Sequence, residues 1–460
     1  MNPMIDVQND PASTGTVPIR CFGGDALQPD EQAWRQLNEM AALPGAREHV
    51  TVLPDVHYKS RNPAPSGTVL VTSDRIYPRS IDDGMNCGMR SMATEMDARS
   101  FTPEVIDALF ARIKATVPLK LHDQPLLDER QTEDLLVHGL GKMVDALGLP
   151  EDEVLRTENG GTFDLGRDPE EIRASLPRKA ITKHRGSIGA LGAGNHFLEL
   201  QEIVEICDPE AAQRLGLRLG QAMFMMHSDS GKLGKRVLRD VHAEAEELYR
   251  RPGSSELFGI PLDSEIAPRY LACLTATLHT GFANRAGITE LVRRALREVF
   301  ADSSVRLVGD SGHETIQPET HGGRELWVHR HGASHALPPS DKFADPALRG
   351  LGFPVPLAGC LGADSYICLG SAGNTSTFHS APHGAGRVLG KDESAQRYDP
   401  DVVEADVRQR GVRLYRYHAD NIAGQAPWSF KDVNHVVDAM TSQALLRPVV
   451  RVRPLAALKG

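Results

Sequence analysis

The spacing of apolar and polar residues predicts helices and strands that alternate along the chain without an evident linker. Thr102, Pro103 and Glu104 give FTPEVIDALFARIKAT an N-cap, a proline at the first helical position and an early acid, which predicts a helix. Apolar spacing predicts further helices in VLRDVHAEAEELYRR and from about Ile266 to Phe300. Apolar or β-branched runs near turn residues predict strands in GQAMFMMHS, SSVRLVGD, ELWVHRHGA and RPVVRVRP. This irregular order favours an α+β or complex α/β fold.

The length and local composition give first expectations for the domain organisation. At 460 residues the chain is long enough for about three domains by length alone. Residues 1–16 are polar and predict a disordered N-terminal tail, while residues 118–177 are charged and loop-rich and predict a peripheral insertion. We find no run near the roughly 20 apolar residues that a membrane helix needs. The first residues also lack the basic and apolar regions of a secretory signal.

Charge and cysteine usage narrow the class of protein. Lys plus Arg total 51 and Asp plus Glu total 61, which gives a formal net charge of −10. This balance argues against a generic nucleic-acid coat protein, although it is compatible with a local basic groove. The six cysteines are scattered without a CxxC pair. They therefore predict reduced thiols and a cytoplasmic setting.

The most informative feature is a set of histidines and one cysteine that follow strand-like runs, each beside a glycine or another turn former. They are His57, Cys87, His196, His227, His313 and His383. Imidazole and thiolate groups suit Zn, Mn, Fe or Co, and loops held by rigid strands often carry active sites. A single histidine in such a position is more often a hydrogen-bonded core or surface residue. The spacing of these residues alone therefore does not decide whether they bind a metal.

His383 differs from the other histidines because it precedes Gly384, Ala385, Gly386 and Arg387. Glycines let backbone N–H groups approach a phosphate closely, and an arginine can bind phosphate oxygens with two nitrogens. A neutral imidazole beside such a cradle can act as a nucleophile toward phosphorus. The same residues could simply form a tight turn. The strand predicted in RPVVRVRP is basic. It could likewise be either a phosphate-binding surface or a charged edge strand.

Several motifs, taken in order, resemble the RtcB family of RNA ligases. They are LPDVH, NCGMR, GNHFLE, MMHS, SGHE, VHRHGAS, AGCLGADSY, HGAGR, APWSFKDV and RPLAALKG, and they run from about Pro18 to the last residue. The resemblance implies a single domain over residues 17–460, with a central β-sandwich-like core flanked by helices. A single site would then draw on most of the chain, so the expected domain count falls to one.

The resemblance also implies a reaction. Such ligases join RNA ends bearing a 3′-phosphate or 2′,3′-cyclic phosphate to 5′-hydroxyl ends, using GTP and Mn²⁺, in RNA repair or tRNA splicing. His383 would carry GMP. The residues implied at the guanine nucleotide are Asn195, Ser365, His383, Gly384, Ala385, Gly386, Arg387 and Lys459. The expected partners are RNA and GTP but no membrane, and the sequence leaves open whether an accessory activator protein takes part.

The resemblance further implies a dinuclear manganese site. Cys87 would bridge the two ions, with His227 and His313 on one ion and His196 on the other. The family places an aspartate three residues before the cysteine, where this chain has Gly84. Either Asp83 reaches the metal through a local change in the backbone, or the second site is weakened. The sequence therefore leaves open whether one or two ions bind.

Other departures concern residues that would hold RNA phosphates. Lys391 and His331 stand where the family has Arg and Lys, and Gly231-Lys232 replaces an expected Arg. We expect Lys391, His331 and Lys232 to lie near RNA phosphates, with less bidentate recognition than an arginine gives. Two other functions stay open from the sequence. One is a non-ligating RNA-end binder that kept the fold, and the other is a metal-dependent phosphoesterase that only opens cyclic phosphates.

Overall fold

The computed structural model describes the backbone of residues 5–7 and residues 16–251, 255–300, 304–418 and 422–460. Most of the predicted tail, residues 1–16, lies outside these ranges, so the tail stays a prediction. Within it, the short strand β1, Ile5–Val7, pairs with β2, Ile19–Cys21.

The remaining strands are short to medium in length, and one long strand closes the chain. They are β3 Val50–His57, β4 Ser66–Thr72, β5 Arg75–Ile76, β6 Gly88–Asp97, β7 Phe197–Ile206, β8 Gln221–Ser228, β9 Ile260–Pro261, β10 Val305–Gly312, β11 Glu314–His321, β12 Arg324–His331, β13 Ala333–His335, β14 Pro354–Leu357, β15 Ser365–Gly370, β16 Ser380–Pro382, β17 Arg413–Arg416 and β18 Leu446–Lys459.

The helices differ widely in length. They are α1 Glu31–Ala41, α2 Pro103–Thr116, α3 Glu129–His138, α4 Val144–Leu147, α5 Pro169–Ser175, α6 Arg178–His184, α7 Pro209–Arg214, α8 Gly231–Tyr249, α9 Ala267–Val299, α10 Lys391–Arg397, α11 Pro400–Gln409 and α12 Val433–Thr441. The predicted N-cap of α2 is confirmed, because the Thr102 side chain accepts a hydrogen bond from Val105 N.

Two large sheets form the core. In the described residues, one sheet has the order β1-β2-β3-β4-β12-β11. The other has the order β10-β6-β8-β7-β18-β15-β14, with β17 beside β18. An apolar cluster joins them through Val69 and Val328 of the first sheet and Val355 and Cys368 of the second. The predicted helices and strands are confirmed, as is the sandwich-like core.

Helices cover the second sheet. A second apolar cluster contains Phe110 of α2, Ile288 of α9 and Met226 of β8. Helix α9 is enclosed along most of its length, because α3, α5 and α8 also pack against it. The mixed α/β fold with a sheet core flanked by helices is therefore confirmed. Within the described ranges we find no helix with both the length and the apolar character needed to cross a membrane.

The segment 118–177 carries α3, α4 and α5, and two of its acids reach the core. Glu158 has no exposed surface and accepts a hydrogen bond from Gly312 N at 2.8 Å. Its other carboxylate oxygen lies 2.7 Å from His335 Nδ1. Glu153 is also buried and pairs with Arg90. These contacts tie the segment to strands of the core, while its description as an insertion stays a prediction.

Candidate active site

Strand register brings the dispersed motif residues together. Gly88 pairs with Ser228 and also with Gly312, so the β6, β8 and β10 ends coincide. Phe197 of β7 pairs with His227 of β8. Cys87, His196 and His313 each lie next to one of these strand ends. The pairing of four strands therefore decides that these residues meet.

A cavity of about 480 Å³ lies at these strand ends and also reaches the first sheet. Charged side chains of both signs line it. The cations are Lys59, Lys235, Arg387, Lys391 and Lys459, and the acids are Asp82, Asp83, Glu199, Asp229 and Glu314. The five cations are thus matched by five acids, and the cations are available to a phosphate-bearing ligand only where no acid pairs with them.

One thiol and three imidazoles converge in the cavity. Cys87 Sγ lies 3.0 Å from His227 Nε2 and 3.5 Å from His196 Nε2. His227 Nε2 lies 3.2 Å from His313 Nε2. The ligand atoms of Cys87, His227 and His313 all lie within 4.8 Å of one another. His196 joins the group through Cys87 Sγ and through an edge contact with the His227 ring, whose centroid lies 5.3 Å from its own.

The chemistry of this group fits a transition-metal site. Facing Nε2 atoms and a buried thiol are soft donors whose lone pairs point at one another, an arrangement that a cation stabilises. Burial lowers the pKa of His196, His227 and His313, which favours the neutral imidazole that binds metals. The donor set and its spacing therefore suit a transition-metal cation at Cys87, His227 and His313.

A buried ionic network fixes the turn that carries Cys87. Asp310 is fully buried and accepts hydrogen bonds from Arg90 Nη1 and Arg285 Nε, both at 2.7 Å. Arg285 Nη1 also donates to Asn86 O at 2.6 Å. Asn86 has a φ of 48°, and its side chain donates to Leu278 O of α9. These contacts therefore fix the strained backbone of Asn86 and, with it, the position of the adjacent Cys87.

His383 is oriented by two acceptors. Its Nδ1 lies 2.8 Å from Gly332 O and 2.9 Å from Asp55 Oδ2. A carbonyl oxygen can only accept, so Nδ1 carries a proton, and in the neutral tautomer Nε2 then holds the lone pair. The ring centroid lies 4.5 Å from that of His313. The Nδ1 contacts therefore fix the orientation of the His383 ring next to the Cys–His cluster.

The rest of HGAGR forms a cradle against the first sheet. Gly386 has a φ of 73°, and a Cβ there would lie 2.2 Å from Asp55 O, so only glycine fits. Arg387 stacks on Phe430 with its guanidinium carbon 4.3 Å from the ring centroid. Its Nη2 donates to Gly424 O at 2.9 Å. Among the described residues, Nη1 has no hydrogen-bond partner although it is buried, so it is available to an anion.

The other residues expected at the nucleotide lie close to Arg387. Asn195 Oδ1 accepts from Gln425 Nε2 at 2.8 Å, and Lys459 Nζ donates to Asn195 O at 3.3 Å. Burial lowers the pKa of Lys459 to about 8. Ser365 is buried behind the cavity lining, where its hydroxyl accepts from Gly359 N at 3.0 Å. Ser365 therefore contacts the loop that contains Gly359, and this loop lines the cavity.

The residues expected near RNA phosphates are dispersed. Lys391, the first residue of α10, lines the cavity. Lys232 is exposed in the first turn of α8 and lies outside the lining residues. His331 has no exposed surface and lies 3.9 Å from Glu314, so this conformation gives it no access to RNA. Burial lowers its pKa to about 3, which keeps it neutral.

Asp55 lies in the LPDVH motif, from which no role for it was predicted, and the cavity-lining residues Asp229, Lys235 and Lys59 were not predicted either. Asp229 directly follows the MMHS motif, so its position was a usable signal. Lys235 lies one turn further along α8, and its partner could not be read from the sequence. Asp83, the acid considered in place of a ligand at Gly84, lines the cavity but is exposed, whereas Cys87 is buried.

A buried Cys–His cluster, an oriented histidine and a buried arginine with a free nitrogen in one cavity are features of metal-dependent enzymes of phosphoryl or nucleotidyl transfer. A family model described as tRNA-splicing ligase RtcB matches residues 36–460. The chain belongs to the RtcB family, as its motifs predicted.

Individual relatives agree with this assignment. The tRNA-splicing ligase RtcB of Pyrobaculum aerophilum is 31% identical over 96% of this chain and 95% of its own length. The RNA-splicing ligase RtcB of Mycobacterium tuberculosis is 31% identical over 92% of this chain and 100% of its own. RNA-splicing ligase RtcB homolog 1 of Entamoeba histolytica is 30% identical over 93% and 83%.

Proposed function

We propose that this protein is an RNA ligase that joins a 3′-phosphate or 2′,3′-cyclic phosphate end to a 5′-hydroxyl end through a guanylated His383. The observation that carries the proposal is the fixed tautomer of His383, whose proton on Nδ1 faces Gly332 O and Asp55. Nε2 is then free to attack phosphorus next to the Cys–His cluster. Family membership supports the RNA substrate.

The first step transfers GMP to the enzyme. The lone pair of His383 Nε2 attacks the α-phosphorus of GTP, the bond to the β-phosphate oxygen breaks, and pyrophosphate leaves. The free nitrogen of Arg387 and the ammonium of Lys459 are the groups available to the phosphate oxygens. Arg387 is fixed by its stacking on Phe430, so little side-chain entropy is lost when it binds.

The second and third steps use the RNA ends. An oxygen of the RNA 3′-phosphate attacks the phosphorus on His383, the N–P bond breaks, and GMP is passed to the RNA. The 5′-hydroxyl oxygen then attacks the activated 3′-phosphate, loses its proton, and GMP leaves. Cyclic ends are first opened by water to the 3′-phosphate. We place Lys391 at an RNA phosphate because it lines the cavity, and Lys232 at a phosphate outside the cavity because its side chain is exposed in the first turn of α8.

We assign Mn²⁺ to Cys87, His196, His227 and His313. When bound, Mn²⁺ supplies positive charge to phosphate oxygens as a Lewis acid. The facing Nε2 atoms and the short distances to Cys87 Sγ support this set of ligands. The six cysteines are free thiols, which supports a reducing, cytoplasmic setting.

The direct test is intact mass spectrometry of the pure protein after incubation with GTP and Mn²⁺. We expect a GMP-sized adduct that is absent in His383→Ala and is released when 3′-phosphate RNA is added. A joining assay with labelled RNA ends then gives ligated product. A protein that forms no adduct but opens cyclic phosphates without GTP would overturn the proposal in favour of a phosphoesterase.

A further inference from the structure

A second group of metal-type ligands lies at β11 of the first sheet. The ligand atoms of Glu319, His321 and His379 all lie within 4.8 Å of one another. Glu319 and His321 belong to β11, and His379 directly precedes β16. These three residues are not among those that line the cavity of the candidate active site. The group is therefore distinct from the Cys–His cluster.

The spacing of the donor atoms is close to that of ligands around a tetrahedral cation. Ligand atoms that each lie about 2.0–2.1 Å from Zn²⁺ are roughly 3.3 Å from one another in a tetrahedron. His321 Nε2 lies 2.9 Å from Glu319 Oε2, so this pair has to open by only about 0.4 Å. The His379 donor has to approach the other two by at most about 1.5 Å. A cation can therefore be bound with small side-chain movements.

A third imidazole faces the same carboxylate. His335 Nε2 lies 3.7 Å from Glu319 Oε2. On the other side of the ring, His335 Nδ1 lies 2.7 Å from Glu158 Oε1 and 3.2 Å from Gln317 Nε2. The shorter contact is to the carboxylate, which can only accept, so the neutral ring has its lone pair on Nε2. This lone pair faces an oxygen of Glu319, an arrangement that a nearby cation stabilises.

Arg330 fixes the carboxylate of the group. It is fully buried, and its Nη1 and Nη2 donate to the two carboxylate oxygens of Glu319. Nη2 also donates to Phe378 O at 2.7 Å, next to His379. Each carboxylate oxygen has two lone pairs, so a cation can replace the contact with His321 while both bonds from Arg330 remain. Hydrogen bonds of this kind orient the carboxylate ligands of metal sites.

The backbone at His379 is held in an unfavourable conformation. Phe378 and His379 have φ angles of 51° and 52°, in the left-handed region. His379 N donates to Asn374 O at 2.9 Å, and Ala336 N donates to His379 O at 2.8 Å. These bonds keep the His379 ring beside His321, with 4.8 Å between the ring centroids. His379 is half-buried, so the group is open to a cation from solvent.

We propose that Glu319, His321 and His379 form a second transition-metal site that binds Zn²⁺. Two imidazoles and one carboxylate are a ligand set that Zn²⁺ accepts, with its fourth position open to water. His379 precedes β16 and His383 follows it, so a bound ion would hold one end of the strand that leads to His383. The ion would thus stabilise the fold. This site is independent of the proposed reaction.

The test titrates the full-length protein with Co²⁺ and records the absorption spectrum, with Zn²⁺ added last as the competitor. Co²⁺ bound to a thiolate gives a charge-transfer band in the near ultraviolet, which a site without cysteine cannot give. We expect the wild type to bind one Co²⁺ that contributes visible absorption without this band. His379→Asn should lose that equivalent and keep its fold, because asparagine tolerates left-handed backbone. His122→Ala, a half-buried histidine bonded to Gly189 O, is the matched control and should behave as the wild type.

Zn²⁺ should raise the midpoint of thermal unfolding more in the wild type than in His379→Asn, since a ligand of the folded state stabilises it. His321→Gln should give the same losses, and it keeps the test decisive if His379→Asn folds poorly. Equal Co²⁺ binding by the wild type and both variants would overturn the inference and leave a hydrogen-bonded network without a cation. Loss of the thiolate band together with the bound ion would also overturn it, because the histidines would then act through the Cys87 cluster.

Discussion

Asp55 Oδ2 lies 2.9 Å from His383 Nδ1 and also 3.2 Å from the backbone nitrogen of the same residue. Asp55 belongs to β3 of the first sheet, while the metal-type ligands stand at strand ends of the second sheet. The carboxylate of the first sheet therefore holds His383, which follows β16, next to the cluster of the second sheet. In the proposed guanylation it would also stabilise the positive charge that the imidazole gains when Nε2 binds phosphorus.

We expect Asp55→Asn to slow formation of the GMP adduct by roughly 10²–10⁴-fold, because an amide removes the charge and can favour the wrong tautomer. The rate is measured by quenched-flow sampling and intact mass. Binding of a guanine nucleotide should stay within about threefold, since Asp55 lies behind the ring. A variant that loses nucleotide affinity but keeps its rate of guanylation would contradict the positioning role.

Arg387→Lys should weaken guanine nucleotide binding by about 10- to 100-fold, the effect of losing a hydrogen bond to a charged group. Lysine cannot stack as a planar group on Phe430 or present the free Nη1 while Nη2 binds Gly424. Isothermal titration with a non-hydrolysable GTP analogue gives the dissociation constant. Arg397→Lys, in which the guanidinium stands over Tyr398 instead, is the control and should bind as the wild type.

Nucleotide affinity should depend on pH through Lys459. Burial lowers the pKa of this ammonium to about 8, so it is charged below that pH and loses its proton above it. Affinity should therefore be constant between pH 6.5 and 7.5 and fall by about tenfold at pH 9, one unit above the pKa. Fluorescence titrations in Mg²⁺ measure it. Lys459→Arg should remove the decline, and a decline that persists in this variant would assign it to another group.

Arg285→Met should lower the free energy of unfolding by about 3–5 kcal/mol, because it removes a partner of the fully buried Asp310. The same change frees Asn86 O and should weaken Mn²⁺ binding about 10- to 100-fold, as for other residues that orient metal ligands. Urea unfolding and metal titration measure the two effects. Arg35→Ala breaks the exposed pair with Glu31 and should change neither.

Lys391→Ala should reduce the dependence of RNA affinity on salt by about one phosphate contact, because Lys391 lines the cavity beside Arg387. The slope is obtained from RNA binding at several salt concentrations. His331→Ala is the control, since this residue has no exposed surface. An equal loss of slope in both variants would show that the effect comes from the fold around the cavity.

The sequence determined the local structure and most of the motif chemistry. The N-cap at Thr102, the strand around Met223–His227 and the glycine of HGAGR depend on nearby residues, so spacing and residue type were enough to predict them. The motifs also identified the family, because their order is carried by the chain itself.

Only the tertiary structure decided which of these residues meet and which carboxylates face the cluster. Cys87 and His313 are joined by strand pairing across more than two hundred residues, a register that local patterns do not encode. Asp83 is closer in sequence to Cys87 but is exposed, while the buried Asp229, which follows β8, lies beside Gly84. Side-chain direction depends on packing between distant segments, so residue type and spacing alone could not choose between these two acids.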